Sequence, residues 1–182
     1  MRYLFMTKEL TAVASLLSVF LALAGNLPSA RADSGLGVGD NAPCISLRDV
    51  QPDGHELDQC IRSRPDHVKY ILVEFFSITC SACLDNMPVV AQLARDLGGN
   101  AATRLIAIDR DEAAIRQYIA ETPADLKPFP IALDTKREAK KAFGIYATPT
   151  LFILNSTNQI VYKHIGTLSP DDVEAIKTQV IR

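Results

Sequence analysis

The sequence predicts a single α/β domain: a mixed β-sheet with helices on both faces. Three observations lead to it. Tyr70–Phe76 (YILVEFF) and Arg104–Ile108 (RLIAI) are near-continuous apolar runs, the pattern of strands covered on both sides. Between them Leu84, Met87, Ala91, Ala94 and Leu97 recur at helical spacing. Strand-sized and helix-sized segments then alternate to the C-terminus, with no internal repeat, low-complexity tract or interdomain linker.

Residues 1–32 read as an export address. Arg2 and Lys8 make a basic start, blemished by Glu9; an apolar stretch runs from Leu10 to Ala24; Ala30-Arg31-Ala32 supplies a small-x-small cleavage pattern. A retained membrane anchor is the alternative, because the uncharged run Leu10–Ala30 is long enough to span a bilayer. Its last third, Gly25 to Ser29, is polar and helix-breaking, which favours cleavage. Either way, residues 33–182 form the exported domain, expected in the periplasm. These 150 residues hold 16 basic and 20 acidic side chains. An acidic balance leaves no electrostatic footprint for nucleic acid. With 48% apolar and 22% charged residues overall, the chain is not disordered or fibrous.

The elements follow in order. Asp33–Gly39 is a flexible lead-in. Cys44–Leu47 and His55–Leu57 flank a turn containing Pro52-Asp53-Gly54, which predicts an N-terminal β-hairpin. Tyr70–Phe76 is the central strand. The helix with Leu84 and Met87 contains Pro88, expected to kink it, and stops at Gly98-Gly99. Arg104–Ile108 is the next strand, and Asp111 opens a helix with Ile115, Tyr118 and Ile119 on one face. Phe129–Leu133 is a short strand, and Thr135–Phe143 a helix ended by Gly144. Thr150–Leu154 and Gln159–Ile165 form a hairpin around Asn155–Asn158, where Asn155-Ser156-Thr157 reads as turn chemistry rather than a glycosylation site. Ser169-Pro170-Asp171-Asp172 is a helix start, with Val173, Ile176 and Val180 facing inward. The order is β-β-β-α-β-α-β-α-β-β-α.

Chemistry concentrates at Cys80-Ser81-Ala82-Cys83, at the junction of the central strand and its helix. Two cysteines at i, i+3 on a first helical turn lie on one side and can bridge. Cys80 is nearer the helix N-terminus, where free N–H groups and the dipole stabilise a thiolate. It is therefore the nucleophile, and Cys83, one turn in, the resolving thiol. A zinc site is not expected, since Cys44, Cys60, His55, His67 and His164 lack ligand spacing.

With these residues in place, the chain resembles the thioredoxin-like proteins, and among them the exported TlpA/ResA-like thiol–disulfide oxidoreductases. The likeness is carried by Ile71–Cys83, by Pro88 five residues after the second cysteine, by Gly144–Thr150 with Thr148-Pro149-Thr150, and by Gly166. The block Asp111–Leu133 resembles the αβ insertion of the TlpA-like branch. The resemblance spans Val38–Arg182. It implies a cofactor-free enzyme, a cis-Pro149 that with Thr148 presents a backbone edge to substrate, and disulfide or dithiol proteins as substrates. It also implies a membrane-bound or soluble electron-donor protein. Two residues depart from the family pattern. Thr79 stands where the family has tryptophan, and Ser81-Ala82 is neither Gly-Pro nor Pro-His.

Glu74 occupies the family's buried acid position. Inside an apolar strand its neutral form is favoured, and its carboxylate can take the proton from Cys83. The bland alternative is an acid reaching solvent at a sheet edge. With Cys80 and Cys83 paired, Cys44 and Cys60 are the partners left. A structural bridge, two buried thiols and a second redox pair are all open for them. For the whole chain the expected function is reduction of disulfides in other exported proteins. The rivals are a non-catalytic assembly factor or metallochaperone, and a peroxiredoxin-like peroxidase, for which Ser77 fits but Val73 stands in place of a proline.

Overall fold

A computed structural model describes residues 35–51, 53–122 and 129–180. Residues 1–32, read above as an export address, lie outside the described residues, as do Pro52, Pro123 and the side chain of Val180.

Seven strands form one mixed sheet: β1 (Ser46–Val50), β2 (Glu56–Cys60), β3 (Tyr70–Phe76), β4 (Ala101–Ala107), β5 (Ile131–Leu133), β6 (Thr150–Leu154) and β7 (Ile160–Ile165). Their spatial order is β2-β1-β5-β4-β3-β6-β7. Strand β3 runs parallel to β4 and antiparallel to β6. Its burial along nearly the whole length is what an apolar run without alternation requires. Among the described residues four α-helices complete the fold: α1 (Ser81–Leu97), α2 (Glu112–Glu121), α3 (Glu138–Phe143) and α4 (Pro170–Ala175), the last continued by a wider turn over Ile176–Val180. The predicted element order holds throughout, and the architecture is thioredoxin-like.

The sheet divides the interior into two layers. Leu72 and Phe76 of β3 face Cys83, Met87, Val90 and Leu93 of α1, together with Ile115 of α2 and Ile176 after α4. Val73 and Phe75 face the other way, toward Ala139 and Phe143 of α3. There Phe143 packs on Phe75 and Phe152, with ring centroids 5.0 and 5.3 Å apart. Strand β5, from the insertion, pairs with β4 on one side and β1 on the other, so it ties the N-terminal hairpin to the sheet.

Several boundaries differ from the sequence reading. The hairpin strands lie later than predicted, because β1 pairs with β5 as far as Val50 and β2 continues to Cys60. Helix α3 starts at Glu138 rather than Thr135, since the Asp134 carboxylate accepts the Ala139 and Lys140 N–H groups and Arg137 turns through φ 60°. Pro88 lies within helix α1, as the sequence places it. The buried face of α1 keeps Met87, Ala91 and Ala94 of the predicted stripe but is wider: Leu84 is exposed, and Cys83, Asn86, Val90 and Leu93 also point inward. Strand β4 carries a buried arginine, Arg104, whose charge is met by Asp49 at 3.2 Å and whose Nη1 also donates to the Cys60 carbonyl. The helix start predicted at Ser169 is present, and Asp172 closes it into a capping box.

Candidate active site

Cys80 is the N-cap of α1, with extended backbone (φ −96°, ψ 105°). This places its sulfur among the unpaired amides of the first turn, and the Cys83 N–H donates to Cys80 Sγ at 3.2 Å. The two residues are joined as a disulfide with Cα atoms 5.2 Å apart. Cys80 is partly exposed and Cys83 fully buried. Attack from outside can therefore reach only Cys80.

Two loops hold Cys80 from either side. Ahead of it, Asp109 at the end of β4 accepts from Ser77 Oγ at 2.7 Å and from the Ile78 N–H at 3.0 Å. The Ser77 carbonyl in turn accepts the Cys80 N–H at 3.2 Å. Opposite it, the Thr148–Pro149 peptide is cis, and the Thr148 carbonyl oxygen lies 3.5 Å from Cys80 Sγ. The Pro149 carbonyl accepts the Gly166 N–H at 2.9 Å, and Thr150 Oγ1 donates to the Ala147 carbonyl at 2.8 Å. This loop thus stands beside the sulfur on a fixed backbone frame.

Glu74 lies beneath. Alternation along β3 puts it on the same face as Leu72 and Phe76, the face α1 covers, and its side chain is fully buried. It is on the central strand, away from any sheet edge. Asn86, one turn after Cys83, donates from Nδ2 to Glu74 Oε1 at 3.0 Å; among the described residues Glu74 Oε2 has no hydrogen-bond partner. Burial pushes the carboxyl from its ordinary 4.5 up to about 7, with the Asn86 hydrogen bond pulling the other way. At neutral pH such a group both takes and gives a proton.

The fold therefore gathers Cys80, Cys83, Thr148 and Pro149 at one end of the sheet, with Glu74 buried on the face of β3 that α1 covers. Cys44 and Cys60 are elsewhere, joined across the N-terminal hairpin with Cα atoms 5.3 Å apart. Among the described residues no cysteine is free, and no cluster of His, Cys, Asp or Glu could hold a metal. Sequence reasoning missed Asn86 and Asp109. A polar residue three places after Cys83, inside an otherwise apolar helix face, was the available signal for the first. Asp109 carried none, since its partners come from a loop 31 and 32 residues away.

A family model described as Redoxin matches residues 37–180. The chain belongs to the Redoxin family. Among relatives of this Redoxin is the thioredoxin-like protein YneN of Bacillus subtilis, 24% identical over 77% of this chain and 78% of that one. Another is the thiol-disulfide oxidoreductase ResA of Bacillus thuringiensis, 24% identical over 75% of each chain. The thioredoxin domain of a thiol-disulfide oxidoreductase from Bacteroides vulgatus has the same fold, with a TM-score of 0.62 and 20% identity over 81% of this chain and 99% of that one. This Redoxin is a thiol–disulfide oxidoreductase, with Cys80 and Cys83 as its CxxC pair.

Proposed function

We propose that this Redoxin is exported as a single domain, residues 33–182, and reduces disulfides in other exported proteins. The Cys80 thiolate attacks one sulfur of a substrate disulfide, whose bond breaks and whose other sulfur leaves as a thiolate. Cys83 then gives its proton to the Glu74 carboxylate and attacks Cys80 Sγ. The mixed disulfide breaks, the second substrate thiolate leaves, and the Cys80–Cys83 disulfide remains. A dithiol electron-donor protein, membrane-bound or soluble, restores the reduced pair. Thr148 and Pro149 offer the substrate chain a backbone edge beside Cys80.

The observation carrying this reading is the asymmetry of the pair: a helix-capping, reachable Cys80 over a buried Cys83 on the face that holds Glu74. Export is supported by the N-terminal pattern and by a Cys44–Cys60 bridge, which suits a compartment where disulfides persist. Among the described residues no helix is long and apolar enough to cross a membrane. The peroxidase reading gains little, because the Ser77 hydroxyl is engaged by Asp109.

Substitution tests the assignment. Cys80→Ser is expected to abolish exchange, whereas Cys83→Ser accumulates a mixed disulfide that mass spectrometry finds on Cys80. An adduct on Cys44 or Cys60 would overturn it.

A further inference from the structure

Asn86 is 1% exposed, sits in an otherwise apolar face of α1, and uses both ends of its amide. Its Oδ1 accepts the Leu168 backbone N–H at 2.8 Å, and its Nδ2 donates to Glu74 Oε1 at 3.0 Å. The Leu168 end fixes the orientation. A backbone N–H can only donate, so the atom facing it is the amide oxygen, and the NH2 group must face Glu74. The Glu74 oxygen opposite Asn86 is then an acceptor in both protonation states. In the neutral acid the carbonyl oxygen is the better acceptor, so it is the one held against the Asn86 NH2. The proton that comes and goes must sit on Oε2, the oxygen without a hydrogen-bond partner among the described residues.

We infer that Asn86 is a positioning residue for proton transfer: clamped by Leu168, it holds one Glu74 oxygen as a permanent acceptor and leaves Oε2 as the one that exchanges a proton. The inference rests on the proposed role of Glu74 and deepens it. Asn86 touches neither Cys83's proton nor substrate in this account. It acts by keeping the carboxyl in one rotational state and by stabilising its charged form, which opposes the effect of burial. The loop between β7 and α4 becomes part of the active-site support through Leu168.

The test is a titration of Glu74 that does not depend on turnover. Carboxyl carbon NMR of the oxidised protein reads its midpoint, expected near 7 in the wild type. Asn86→Ala removes a hydrogen bond to the charged form and is expected to raise that midpoint by about one pH unit or more. Asn86→Asp keeps the shape and the Leu168 acceptor but sets a second carboxyl against the first. It is expected to raise the midpoint as well, and serves if the alanine variant folds poorly. The Asn86 side-chain NH2 signals should keep a hydrogen-bonded shift at both pH 5 and pH 9. The resolution step should show the same upward displacement of its pH profile in Asn86→Ala, and Asn86→Ala added to Glu74→Gln should cause no further slowing. An unmoved midpoint in a folded variant, or NH2 signals that lose the bond at low pH, would overturn the inference. A midpoint that moves while the resolution rate ignores it would leave the Asn86 clamp standing and remove Glu74 from the catalytic scheme.

Discussion

Replacing Glu74 by glutamine is expected to make the folded protein more stable above neutral pH while slowing its chemistry. The carboxyl is fully buried, and its pKa rises from an ordinary 4.5 to about 7. Below 4.5 the carboxyl is protonated whether the chain is folded or not, and it contributes no pH-dependent difference. Between 4.5 and 7 the folded state keeps a proton that the unfolded chain has released, so stability falls as pH rises. Above 7 the loss is complete and constant. At about 1.36 kcal/mol per pH unit, the full penalty is about 3 kcal/mol, of which about 1 kcal/mol is already present at pH 5. Glutamine has the shape of the protonated acid, can still accept from Asn86, and does not titrate. Stability of wild type relative to Glu74→Gln should therefore drop by roughly 2 kcal/mol between pH 5 and pH 8. Urea unfolding of the oxidised proteins at the two pH values measures this, with equal m-values showing that both unfold alike. In the same variant, stopped-flow kinetics should show the resolution step slowed more than the initial attack by Cys80. A stability difference independent of pH would refute the argument from burial, and equal slowing of both steps would refute the argument from mechanism.

Two further outcomes concern the cysteines. Cys44–Cys60 should stay oxidised under reductant that opens Cys80–Cys83 fully, because a structural bridge sits below about −300 mV and one closing a loop of about fifteen residues stabilises by ~3 kcal/mol; thiol counting across a potential series decides it, and joint opening would make this a second redox pair. The potential of Cys80–Cys83 should fall between about −270 and −120 mV, since Ser81-Ala82 supplies no cation to hold the reduced thiolate. Equilibration with glutathione buffers measures it, and a value near −120 mV would make the protein an oxidant instead.

Local signals made most of the fold legible. The unalternating run Tyr70–Phe76 announced a strand covered on both faces, and Gly144, Gly98 and the Ser169 N-cap marked helix ends because their causes lie within a few residues. The catalytic pair was legible for the same reason, as two cysteines one turn apart at a strand–helix junction carry their geometry with them. Boundaries drifted where distant partners decided them. Strand β1 reaches Val50 where it is paired on both sides, with β2 and with β5, the latter more than eighty residues later.

The sequence by itself therefore determined the order of elements and the reactive pair, read from spacing within single elements, and pointed to the acid on β3 through its place in an apolar run and the family resemblance. Tertiary structure decided what surrounds them. It buried Asn86 and left Leu84 exposed on α1, brought Asp109 to the turn before Cys80 and set the Thr148 carbonyl 3.5 Å from the sulfur. It also put Leu168 where it fixes the Asn86 amide. The reason is physical. Helical and strand periodicity reports which residues share a face, but a hydrogen bond between residues 82 positions apart exists only once the sheet has brought their elements together.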